Sequence, residues 1–267
     1  MSFSEQWLTL REPHDAAARN GKVLDAVAAA FAGQHAINVV DLACGTGSTL
    51  RAVSVALPPR QSWLLVDNDL GLLARAKPAQ ASSEIQVTTA PTDLMRDLEL
   101  ALDGPVDLVT TSAFLDLVSR QWLERLVTEI AARHLPFYAA ISYDGRASCS
   151  PADPFDQAVI GAVNRHQRTD KGFGPSLGPD AAAQAISLFG RLDYAVTQGR
   201  SDWVLRRQDA EMQMEILSGW AAAAREIDPA AVSEVAGWLA RRRSMVIKGQ
   251  SSMRVGHVDF FARPPRR

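Results

Sequence analysis

Two cysteines in 267 residues, Cys44 and Cys149, are too few for a disulfide framework or a set of metal ligands. A reducing, cytoplasmic setting is therefore expected, with no metal. No apolar run approaches the length that spans a bilayer, so no membrane partner is expected. The first residues, Met1-Ser2-Phe3-Ser4-Glu5, have neither the basic head nor the apolar stretch of an export signal. Charge excess is missing too: 28 Lys and Arg against 30 Asp and Glu leave a formal net charge of −2. Nucleic-acid binding rests on many basic contacts to phosphates, so a nucleic-acid substrate is disfavoured. Two basic clusters stand against that balance, Arg241-Arg242-Arg243 and the tail Arg263-Pro264-Pro265-Arg266-Arg267. They read as a solvated helix end and a frayed terminus.

What is present is an ordinary globular composition, 47% hydrophobic and 22% charged, in a length that suits one large α/β domain spanning 1–267. Residues 14–32, within an amino-terminal helical segment 1–35, are rich in alanine and carry Val23, Leu24, Val27 and Phe31 as one apolar stripe. Strand-like runs over 37–42, 62–66, 85–89, 106–111 and 137–143 then alternate with helix-like runs over 47–57, 70–76 and 120–132. In the last of these helices Trp122, Leu123, Leu126, Val127 and Ile130 share a face. Such alternation means βαβ units with right-handed crossovers, hence a mostly parallel sheet covered by helices on both faces.

After residue 143 the rhythm changes. Glycine and proline crowd 145–180 around a helix near 155–168, which reads as a cap or lid above the sheet. Asp180 is placed to cap a helix that runs through Phe189 and ends at Gly190. A sixth strand follows at 194–198, and a second helical insertion over 205–247 carries Met212, Ile216, Trp220, Ala223 and Ile227 at helical spacing. Residues 253–262 close the chain as a strand.

The most informative segment is Val39-Val40-Asp41-Leu42-Ala43-Cys44-Gly45-Thr46-Gly47-Ser48, an apolar strand ending in a carboxylate and a Gly-x-Gly turn before a helix. Glycines there let the backbone turn sharply and approach a ligand, and the helix behind them presents free N–H groups. A carboxylate at Asp41 argues against a plain phosphate cradle, since it repels pyrophosphate but accepts from a cationic amine. Asp67 ends the second strand in Trp63-Leu64-Leu65-Val66-Asp67, at the spacing of a carboxylate that accepts from both ribose hydroxyls. Spacing alone does not separate this from NAD binding. Leu50, standing where the dinucleotide fingerprint favours a third small residue, does.

These motifs resemble those of class I, Rossmann-like methyltransferases that use S-adenosylmethionine (SAM) and release S-adenosylhomocysteine (SAH). The resemblance implies a seven-stranded sheet whose last strand is antiparallel, paired with strand six. It places Asp41, Ala43, Gly45 and Gly47 near the methionine moiety and Asp67 with Asn68 at the ribose. It puts Thr92, Asp93 and Leu94 at the adenine, and Ser112 in Thr111-Ser112-Ala113-Phe114-Leu115-Asp116 between cofactor and acceptor. Arg11, or Arg19, would hold the methionine carboxylate. The blocks typical of adenine, glutamine and cytosine methylation are missing, so the acceptor is expected to be a small molecule, methylated at oxygen or nitrogen. His166, Asp144 and His14 are the candidate bases. Arg146, Arg165, Arg168 and Lys171 favour an anionic acceptor, and Tyr143-Asp144-Gly145-Arg146 and Ser201-Asp202-Trp203 are placed to face it. An alkyl or aminopropyl transferase using a SAM relative, or a non-catalytic SAM-binding protein, are the alternatives.

Overall fold

A computed structural model describes residues 3–76 and 84–265. The amino-terminal segment forms two helices, α1 (Glu5–Ala18) and α2 (Gly21–Ala30), rather than one. The break has a local and a distant cause. Asn20 accepts from the Val23 N–H and so caps α2, while its own N–H donates to the Asp259 carboxylate at 2.9 Å.

Strands β1 (Ala36–Leu42), β2 (Arg60–Asp67), β3 (Ile85–Pro91), β4 (Leu108–Ser112) and β5 (Phe137–Ser150) pair in parallel in the order 3-2-1-4-5. Beyond them lie β6 (Ala195–Arg200), β7 (Trp203–Leu205) and β8 (Ser252–Arg263). The final strand β8 runs antiparallel between β5 and β6, which makes the expected seven-strand path. The three residues of β7 add an eighth strand beside β8. Register shifts between Ala139 and Ser142 and between Tyr143 and Ala147 bend β5, so it continues through Gly145 to Ser150 instead of ending at 143.

The connecting helices are α3 (Ser48–Val53), α4 (Leu70–Arg75), α5 (Leu98–Ala101), α6 (Arg120–Ala132), α7 (Asp156–His166), α8 (Ala181–Arg191), α9 (Ala210–Ile227) and α10 (Val232–Ile247). They cover both faces of the sheet. Val39 and Val40, adjacent on β1, enter separate cores: Val39 joins α2, α3 and the cap helices, and Val40 joins α5, α6 and α8. Asp180 does not cap α8 through its side chain. It pairs instead with Arg168 at 2.8 Å, and the helix runs past Gly190 to Arg191.

Helices α7, α9 and α10 pack together, with α9 touching both of the others. Arg242, fully buried, donates through Nε to Asp156 Oδ1 at 2.9 Å, and the Trp238 indole donates to the same oxygen. The Arg241-Arg242-Arg243 cluster is therefore not simply a solvated helix end: Arg242 ties α10 to α7, Arg241 pairs with Asp153 just before α7 at 2.7 Å, and exposed Arg243 donates to Ser218 of α9 at 3.0 Å. Among the described residues no helix is long and apolar enough to cross a membrane, and no cluster of ligating side chains suits a metal. Arg266 and Arg267 of the basic tail lie outside the described residues.

Candidate active site

The glycine turn after β1 is held open by its backbone. Ala43, Gly45 and Gly47 have φ of 53°, 54° and 80°, left-handed values that cost a side-chain-bearing residue energy. At Gly47, which caps α3, a Cβ would also lie 2.9 Å from the Ala76 carbonyl oxygen. Asp67 fixes this turn from the end of β2. Its Oδ2 accepts from the Gly45 N–H at 2.8 Å and its Oδ1 from the Asp69 N–H at 3.0 Å. Each oxygen keeps a lone pair for a ligand.

These elements enclose a first cavity of about 180 Å³. Ala43, Gly45, Asp67 and Asn68 form one side, and Thr92, Asp93 and Leu94 after β3 form another. Asp93 turns its loop by accepting from the Met95 N–H at 3.0 Å. Ser112 lines the floor with a buried Oγ that has no partner. Phe173 closes the far side, packed edge-to-face on Phe114 and Trp122 with each pair of ring centroids 5.3 Å apart.

Asp41 and Gly47 do not line this cavity. Asp41 is fully buried, and its Oδ1 accepts from the Thr110 hydroxyl at 2.8 Å while Oδ2 has no partner. Burial pushes its carboxyl up to about 7. Asp41 therefore supports the turn from beneath. Burial likewise raises the Cys44 thiol and keeps it protonated, so it is no nucleophile.

A second cavity of about 420 Å³ opens beneath the cap helices. Trp7, Tyr143, Trp203 and Trp220 give it aromatic walls, and Asp116, Glu215, His166 and His257 give it titratable ones. Phe3, Arg11, Ala113, Leu117 and Lys171 belong to both cavities, so the two meet at a shared wall. Arg11 is clamped there. It donates to Asp15 from Nε at 2.9 Å, and its guanidinium lies 5.1 Å and 5.9 Å from the rings of Trp203 and Trp7. Arg19, the alternative carboxylate partner, lines neither cavity and donates to the Tyr138 hydroxyl at 3.1 Å.

Of the three candidate bases, only His166 reaches the second cavity. His14 lines neither cavity, and Asp144 is taken up by Arg146, which donates from Nε at 2.7 Å and from its backbone N–H at 3.0 Å. The basic residues of the cap separate in the same way. Arg146 pairs with Asp144 and Asp202, Arg168 pairs with Asp180, and of the four cationic residues only Lys171 lines the cavities. The positive charge of that segment is mostly neutralised away from the acceptor space.

His257 and Trp220 were not legible as site residues. His257 lies between Val255 and Val258 on β8, in a strand that also carries Arg254 and Asp259, so nothing in its local pattern marks it. Its ring packs tilted against Trp203 with centroids 4.6 Å apart, and burial drives its imidazole down to about 3, so it stays neutral. Trp220 falls in the apolar stripe of α9 and looks like any core residue until the cavity is seen.

Residues 39–136 match the family model of a methyltransferase domain. With the 3-2-1-4-5 parallel strands and the glycine turn, this span is similar to the cofactor half of class I, Rossmann-like methyltransferases, and the antiparallel β8 completes the fold that such SAM-dependent enzymes share. Similar folds recur among solved structures. The cyclopropane synthase MmaA2 from Mycobacterium tuberculosis superposes with a TM-score of 0.51 at 11% identity, over 98% of this chain and 95% of that one. A putative type II methyltransferase from Anaeromyxobacter dehalogenans gives 0.51 at 16% identity, over 93% and 98%. A putative methyltransferase from Bacillus halodurans gives 0.50 at 12%, over 92% and 100%. At such identities the likeness is one of fold. No curated protein matches this sequence.

Proposed function

We propose that this chain transfers a methyl group from SAM, bound in the first cavity, to the oxygen or nitrogen of a small molecule bound in the second. The observation that carries the reading is the shared wall of Phe3, Arg11, Ala113, Leu117 and Lys171, which brings two differently built cavities into contact. When bound, SAM supplies a methyl group on a sulfonium, a good leaving group, so the chain's work is alignment. Asp67 receives the ribose hydroxyls on the lone pairs that Gly45 and Asp69 leave. Asp93 and the Leu94 N–H take the adenine edge, Ser112 Oγ satisfies itself on the ligand, and Ala43 and Gly45 bring backbone groups to the methionine end. Arg11 offers the carboxylate its N–H groups not held by Asp15.

The acceptor space is mainly aromatic and apolar, which suits a flat organic molecule better than the anionic one suggested by the cap's basic residues. The space beneath α7 and α9 is on a scale that fits a small molecule and not a nucleic-acid strand. Both thiols are free, in keeping with a cytoplasmic enzyme. Incubation with SAM and separate panels of small hydroxyl and amino compounds, DNA oligonucleotides and RNA oligonucleotides tests this. SAH release is expected only with the small molecules, and release stimulated by the oligonucleotides alone would overturn the acceptor assignment.

A further inference from the structure

We infer that Asp116 is the proton acceptor of this site and that the acceptor it serves is a hydroxyl on a flat aromatic body. The inference rests on the two-cavity reading above. Asp116 follows β4 on a short helical turn, is 6% exposed, and lines the second cavity one residue from Leu117 of the shared wall. Its side chain has one long hydrogen bond, from Gln167 Nε2 at 3.5 Å. A buried carboxylate so poorly occupied is available to a ligand donor. Arg11 from α1 and Lys171 from the cap loop face it as cations, and Tyr143 faces it from β5.

The other titratable walls are less suited. Lys171 Nζ lies 3.3 Å from His166 Nδ1 and 3.5 Å from Nε2, and Nε2 also pairs with Glu226 at 3.0 Å. Both ring nitrogens are taken. His257 Nδ1 has no partner, but burial and nearby Arg11 hold that imidazole at about 3, whereas burial lifts Asp116 to about 6. That makes His257 a roughly thousandfold weaker proton acceptor at neutral pH.

The cations at the shared wall choose between acceptors. Arg11 and Lys171 oppose an ammonium group but stabilise the oxygen charge that grows as a hydroxyl loses its proton. In the transfer the acceptor O–H bond breaks and its proton passes to the Asp116 carboxylate. The oxygen lone pair forms the new O–C bond, and the S–C bond breaks with its electron pair returning to sulfur. Trp7, Tyr143, Trp203 and Trp220 supply flat walls for the ring.

The test compares the whole chain with Asp116→Asn. Calorimetry with SAH comes first, and equal affinity in both proteins shows that the variant is folded. In the SAH complex, phenol is expected to bind the wild type about tenfold more tightly than anisole, which lacks the hydroxyl proton, and the preference should shrink in the variant. With SAM, the ratio of methylation rates for phenol over thiophenol, which is ionised without help at pH 8, should fall at least about 100-fold. Asp116→Glu should restore part of that ratio. Equal binding of phenol and anisole by the wild type, a ratio unmoved by the substitution, or no transfer to either compound overturns the assignment. Failure of the wild type to bind SAH would instead overturn the methyltransferase reading beneath it.

Discussion

Replacing Gly47 by alanine should damage stability and cofactor binding together, and the size follows from two separable effects. At φ 80° an alanine takes the left-handed conformation, at a cost of about 1–2 kcal/mol. Its Cβ would also sit 2.9 Å from the Ala76 carbonyl oxygen, a backbone atom that cannot rotate away, which adds about 1–2 kcal/mol. The lower freedom of alanine in the unfolded chain offsets about 0.4–1 kcal/mol. The net is about 2–3 kcal/mol, or a fall of about 4–6 °C in Tm for a chain of this length. Gly104→Ala is the control, because φ is 97° there but nothing lies within 4 Å of the new Cβ. Scanning calorimetry should show it losing less than half as much. SAH titration should show affinity reduced at least about tenfold for Gly47→Ala and unchanged for Gly104→Ala, because only the former moves the turn that lines the cofactor cavity. Equal Tm losses for the two variants would refute the close-approach argument.

Three further outcomes follow from the same structure. Arg242→Met leaves the buried Asp156 without its guanidinium and should cost about 3–5 kcal/mol in urea unfolding, while Arg242→Met combined with Asp156→Asn, which keeps an acceptor for the Trp238 indole and removes the unpaired charge, should recover part of it. Asp41 holds its proton up to about 7 in the folded chain but only to its ordinary value near 3.8 when unfolded, so its stability cost sets in as pH rises between those values. Asp41→Asn should therefore gain at least about 1 kcal/mol on the wild type between pH 5 and pH 8, read by urea unfolding at each pH. Phe173→Ala removes two edge-to-face pairs worth about 0.5–1.5 kcal/mol each, so Tm should fall by about 2–6 °C and SAH affinity roughly tenfold.

The parallel half of the sheet was legible because its signals are local. Apolar runs of strand length, the glycines at 45 and 47 and a carboxylate at each of 41 and 67 all fall within short spans, and the strands appear where these signals put them. The first cavity was legible for the same reason, since its walls are the ends of consecutive strands. Asp41 and Gly47 are the two expected residues that do not line it, and for Asp41 the reason is direction: the residue is at the expected point on β1 but its side chain turns into the core. The acceptor side was much less readable. The segments that hold Asp116 and Trp203 were expected near the acceptor, but Trp220 and His257 were not, and the insertion of β8 between β5 and β6 and the packing of α9 on α7 bring the four together. His14 and Asp144 looked suitable by residue type, yet one lies off both cavities and the other is held by Arg146. The break between α1 and α2 depends on Asp259, some 240 positions away, which no local pattern reveals.

The central claim is that the first cavity is a SAM site organised by Asp67. Calorimetric titration of the wild type and Asp67→Ala with SAH and with NADH tests it most directly. The expected result is micromolar SAH binding to the wild type, weakened at least about 100-fold in the variant by loss of two charge-assisted bonds of about 1.5–3 kcal/mol each, with no NADH binding to either. SAH binding that is absent, or that survives the substitution unchanged, or binding of NADH in its place, would contradict it.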